Sequence, residues 1–152
     1  MTTTPAADAF LESLKEQADC YGLLARLAEL QHDHIQNSRT DHLLVVLQKR
    51  QELLDRIAQL EQIVGPARRD WSHQAEALDG DARSTAEQLF GDIRRCLEAI
   101  TTADKNDVLV LQQRKLGIAQ ELKKTTAAQQ VNRSYAASAY GKSRPGGLNV
   151  SR

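Results

Sequence analysis

His32, His34 and His42 lie close together around Asp33, a set of imidazole and carboxylate groups of the kind that holds a divalent metal. Residues two apart on a helix do not face each other, and no Cys/His pair has zinc-finger spacing. These side chains are therefore read as solvated histidines near a helix junction. Gly141-Lys142-Ser143 matches the end of a phosphate-binding loop, but the first glycine of that motif would fall at Ala136 and no strand precedes it. The acids and bases Glu52, Asp55, Arg56, Glu61, Arg94, Arg95 and Glu98 read as solvated helix faces with some support at i,i+4. Nothing brings together a nucleophile, a base and an orienting group. No catalytic residue, cofactor or metal site is expected, and the chain is read as non-enzymatic.

Cys20 and Cys96 are too few and too far apart for a disulfide framework. They are read as reduced, buried thiols of a cytoplasmic protein. Met1 to Asp8 lacks the basic and apolar regions of a signal peptide. No apolar run approaches the ~20 residues that span a bilayer, so the sequons at Asn132 and Asn149 carry no weight. Aromatic residues make up 4% and charged residues 26%, a mix suited to long helices with narrow aliphatic seams rather than a thick core. Formal net charge is zero but unevenly placed: no acid follows Glu121, whereas Lys123, Lys124, Arg133, Lys142, Arg144 and Arg152 do. A bulk nucleic-acid binder is usually basic throughout. This is a basic tail on a neutral body, and no nucleic-acid partner is expected.

With no local chemistry to serve, the pattern reads as architecture. Thr4-Pro5 caps a helix over about residues 5–36, with a seam of Phe10, Leu14, Tyr21, Leu24, Ala28 and Ile35, widened by Leu11, Leu27 and Leu30. Thr40 or Asp41 caps a second helix over 41–64, with apolar positions Leu43, Leu44, Leu47, Leu54, Ile57, Leu60 and Val64 and a stop at Gly65-Pro66. A short polar helix over 67–78 surrounds Trp71, and Asp79-Gly80-Asp81 is a turn. Ser84-Thr85-Ala86-Glu87 has the capping-box pattern and opens a long helix over 84–130. Thr101-Thr102-Ala103-Asp104 offers a place for a kink, and Asp104 and Asp107 sit where its seam should be apolar. The expected fold is all-α: an elongated antiparallel helical bundle or coiled coil of three main helices over residues 1–133. A flexible, disordered basic tail follows over 134–152.

At 1.5 Å per residue the helices measure about 48, 36 and 70 Å in turn. The first two cannot cover the third, so its end from about Arg114 to Gln130 is expected to overhang the body as an amphipathic helix. The seam favours bundle core for residues 86–111 and leaves 114–135 open between core and a groove for a partner helix.

The chain resembles the FlgN-type flagellar export chaperones. Four features carry the likeness: a leading helix of leucine-rich heptads; an aspartate-capped second helix from Asp41 to Ile57 holding Lys49-Arg50-Gln51-Glu52-Leu53-Leu54; Asn106-Asp107-Val108-Leu109-Val110-Leu111 in the last helix; and Tyr140-Gly141 with Gly146 in the tail. The resemblance implies a small cytosolic helical chaperone. It would hold hook–filament junction (hook-associated) proteins and deliver them to the membrane-embedded gate of the flagellar type III export apparatus. It implies substrate contact through Leu111 to about Ser134 and gate contact through Tyr140, so that Leu111, Arg114, Lys115, Ile118, Leu122, Tyr135 and Tyr140 are the expected partner-binding residues. A monomer or weak homodimer without stable membrane insertion is expected.

Two other readings compete. In one, the long helix pairs with its own copy and the protein is a non-enzymatic coiled-coil scaffold or adaptor. In the other, the tail binds nucleic acid or another acidic surface, with a steep dependence on salt.

Overall fold

The computed structural model describes residues 4–141, and the side chains of 4–131, 133 and 134. All described secondary structure is helical: α1 (Pro5–Gln36), α2 (Thr40–Arg69), α3 (Trp71–Glu76) and α4 (Gly80–Gly141). The chain divides into two units, one up to Leu109 and one from Val110 onward.

In the first unit α1 starts where Thr4 Oγ1 accepts a 3.1 Å hydrogen bond from the Ala7 amide, with Pro5 in the first turn. It ends in a Schellman arrangement: the Arg39 amide bonds to the His34 carbonyl at 2.9 Å and the Ser38 amide to the Ile35 carbonyl at 3.2 Å. Ser38 occupies the left-handed position that usually takes glycine, at φ 55°.

α2 continues past Gly65-Pro66 to Arg69, so the expected stop at residue 64 is corrected. Pro66 removes one backbone donor on an exposed face, while its neighbours Val64 and Ala67 are buried in the core and hold the last turn helical. α3 is shorter than the segment expected over 67–78; Leu78, beyond its end, packs into the core.

α4 begins one turn earlier than the Ser84 box. Asp79 Oδ1 accepts the Ala82 amide at 2.7 Å, which caps the helix there and leaves Ser84 exposed in its first turns. Arg83 Nε reaches back to the Ala75 carbonyl at 3.0 Å and satisfies an end group of α3. The helix runs without a break through Thr101–Asp104. It also continues through residues 134–141, which the sequence reading places in the tail; residues 142–152 lie outside the described residues.

The side-chain contacts fix the packing within the first unit. Near one end, Phe10 and Leu14 of α1 meet Val64 and Ala67 of α2 and Ala82 and Ala86 of α4. Further along, Cys20, Leu24 and Ala28 meet Ile57 and Leu60 and, from α4, Ile100. As numbers rise along α1 they fall along α2 and rise along α4, so α2 is antiparallel to both. Phe10, Trp71 and Phe90 form an aromatic cluster, with Trp71 and Phe90 edge-to-face at 5.1 Å between centroids.

Candidate functional site

The chain's most connected polar cluster closes the far end of the first unit's core. Arg50 of α2 grips the Asp104 carboxylate of α4 with two parallel hydrogen bonds, 2.8 and 2.9 Å, and donates a third to Gln31 Oε1 of α1 at 2.6 Å. Gln31 Nε2 in turn donates to Asp107 Oδ2 at 3.0 Å, and His32 Nδ1 lies 2.7 Å from Asp107 Oδ1. Asp107 is 2% exposed. The hydrogen bond to Asp104 is the largest influence raising the Arg50 pKa; it outweighs burial, and the charges of Asp104 and Asp107 add to it.

His32 against Asp107 has the geometry of a base with its orienting acid. Yet among the described residues no hydroxyl or thiol hydrogen-bonds His32, so the pair lacks a nucleophile. His34 and His42 stack at 5.2 Å between ring centroids. Among the described residues no group of three or more His, Cys, Asp or Glu side chains is placed to hold a metal ion. The polar layer joins three helices through hydrogen bonds.

The second unit contains a single helical segment among its described residues, the part of α4 from Val110. Every described side chain from Leu111 to Ser134 is exposed except Arg114, which is half-buried. Leu111, Ile118 and Leu122 are exposed at 48%, 62% and 63%. With 3.6 residues per turn, positions 111, 115, 118 and 122 fall on one face. Leu111, Lys115, Ile118 and Leu122 thus form one strip, with Arg114 on its flank. Leu116 and Val131, also exposed, lie on the opposite side of the helix. Thr125, a turn beyond Leu122, bonds its hydroxyl to the Glu121 carbonyl at 2.9 Å and so has its donor satisfied within the helix.

Among the described residues of this unit the strip lies on one helix, and it presents a convex face. Tyr135 and Tyr140 lie on the helical backbone of α4, and their side chains are outside the described residues.

The first unit carries a separate cleft of about 600 Å³ bordered by Tyr21, Leu54, Ile57, Trp71, Phe90 and Leu97. Its floor belongs to the packed core. No helix of the described residues is long and apolar enough to cross a membrane.

Comparison with known proteins returns no matching family model, no matching curated protein and no matching solved structure.

Proposed function

We propose that this chain is an export chaperone of the FlgN type. In this reading it works in the cytoplasm, holds hook–filament junction proteins before secretion and hands them to the flagellar type III export gate. One observation carries the proposal: Leu111, Ile118 and Leu122 form a solvent-exposed apolar strip on a helix segment whose own unit offers, among its described residues, no second helix to cover it. The sequence likeness in the second helix, the last helix and the Tyr140-Gly141 tail supplies the identity of the client and of the gate.

The energetics suit temporary holding. Full burial of a Leu or Ile side chain stabilises by roughly 1.5–3 kcal/mol, and these three are still 48%, 62% and 63% exposed. Covering all three gives roughly 4 kcal/mol, about half of what micromolar affinity requires. A client held this way is released readily, and release needs only a competing surface with differential affinity. No catalytic group or nucleotide is needed.

Capture of a junction protein by the wild type and its loss in the double variant Leu111→Asp/Ile118→Asp tests the proposal. Equal capture by both sinks it. The competing scaffold reading draws on the same exposed strip paired with its own copy. Sedimentation of the purified chain separates the two, because a tight dimer abolished by the same double variant favours the scaffold.

A further inference from the structure

We infer that the α4 strip takes a single acidic amphipathic helix from another protein, in preference to a second copy of this chain or a lipid surface. The inference rests on the reading of the strip as a docking face and adds the chemistry of what docks there. From Val110 onward Glu121 is the one acidic residue in the sequence, against Arg114, Lys115, Lys123, Lys124 and Arg133 before the undescribed end. Lys115 stands within the strip itself, one turn after Leu111 and just before Ile118. A lysine at a seam position of paired helices specifies register and oligomer state, and charge pairs across the helices set the choice of partner. A carboxylate opposite it is favoured, and a like charge opposite it is not.

A second copy brings the same basic segment against itself in either orientation, and in a parallel in-register pair it sets Lys115 beside Lys115. A lipid surface is a poor match for a different reason. Interfacial helices bury a broad apolar face with the cations on its flanks. Here Lys115 interrupts the strip, Thr125 and Gln129 extend it as polar residues, and exposed Leu116 lies on the opposite side. The three apolar side chains also fall short of micromolar affinity by themselves, so a partner must supply further attraction. Acids set against Lys115 within the strip and Arg133 on its continuation supply it.

The test uses the full chain and two synthetic four-heptad peptides with leucines at the seam positions, one flanked by glutamates and the other by lysines. Fluorescence anisotropy reads their binding. The glutamate peptide is expected to bind at least about ten-fold tighter than the lysine peptide, the step one close charge pair produces. Its affinity should fall as salt rises. Lys115→Glu should weaken the glutamate peptide and strengthen the lysine peptide, a reversal that mere misfolding cannot produce. Equal binding of the two peptides overturns the inference. So does capture of the chain by phosphatidylserine vesicles while neither peptide binds, or a dimer that forms more tightly than either peptide complex. A chain that captures a junction protein yet shows no charge preference leaves the escort proposal standing and removes only this inference. Preference for the glutamate peptide without junction-protein capture does the reverse.

Discussion

Truncating Arg50 to alanine should destabilise the first unit by about 3 kcal/mol. Arg50 is well buried, with 14% of its side chain exposed, whereas its partner Asp104 is 38% exposed. Removing one member of a fully buried ion pair costs about 3–5 kcal/mol because the other is left charged and unsolvated. Water can reach the abandoned Asp104 carboxylate, so that part falls to about 1.5–2 kcal/mol. Gln31 Oε1, in a residue 9% exposed, loses a hydrogen bond to a charged donor, which adds about 1.5 kcal/mol.

Urea denaturation of the full chain is the assay. With a slope of about 1–3 kcal/mol per M, the midpoint should drop by about 1–3 M with the slope unchanged. Arg50→Ala/Asp104→Ala should recover part of the loss, giving a coupling of about 2 kcal/mol. Arg39→Ala is the internal control: its 3.4 Å pair with Asp33 is about half exposed on both sides and should contribute less than about 0.5 kcal/mol. Because the Arg50 pKa is raised, its guanidinium keeps its charge through the moderately basic range, so the loss should not change from neutral to moderately basic pH. A loss for Arg50→Ala no larger than that for Arg39→Ala would refute the view that this layer holds three helices together.

Three further outcomes follow from the same packing. Leu14→Ala removes a side chain with no exposed surface and should cost about 2–5 kcal/mol by calorimetry, whereas Leu111→Asp/Ile118→Asp should change stability by less than about 0.5 kcal/mol per site, since both side chains stand in solvent. Burial raises the Glu61 carboxyl, but hydrogen bonds from Arg68 and Gln17 outweigh it and hold the pKa below its ordinary 4.5. A lowered carboxylate stabilises the fold above its unfolded-state pKa, so the advantage of wild type over Glu61→Gln should be full above about pH 5 and shrink as pH falls through 4.5 and below, in acid-induced melts. Ser38→Gly should raise stability by about 0.5 kcal/mol in urea titrations, because relief of the left-handed strain at φ 55° exceeds glycine's extra unfolded-state entropy.

Much of the fold was legible because periodicity and caps agree. Thr4-Pro5 marked the start of α1, and the all-α class followed from uninterrupted helical spacing. The α2 seam shows where such reading stops. The sequence points to Leu44, Leu47 and Leu54, yet these are exposed, and the buried positions are Val46, Ile57, Leu60, Val64 and Ala67. Between them at helical spacing stand Arg50 and Leu53, so the true seam passes through an arginine. A hydrophobic pattern cannot follow a seam across a charge; it slips to the adjacent leucines. Gln17 and Gln31 hide the α1 seam in the same way. The signal that did exist was in α4, where Asp104 and Asp107 occupy positions that should be apolar. Acids misplaced on one helix call for a donor at the same level on another, and Arg50, Gln31 and His32 are those donors.

The candidate site turns on a different limit. Leu111, Ile118 and Leu122 share the three-and-four spacing of Ala86, Phe90 and Ile93, and periodicity treats the two stretches alike. Ala86 is sealed and Phe90 and Ile93 pack against the same core, whereas Leu111, Ile118 and Leu122 stand in solvent. A stripe reports that a surface wants a cover, and says nothing of where the cover comes from. Helix length does report it: α1 and α2 have 32 and 30 residues against 62 in α4, so no antiparallel pairing of the first two can cover the whole of the third. The identity of the cover must then be sought in the charges beside the stripe. Lys115 within it and Arg133 on its continuation are what separate an acidic partner from a copy of the same chain. Hydropathy alone assigns those positions to solvent, which is why the partner's chemistry is less legible than the surface that receives it.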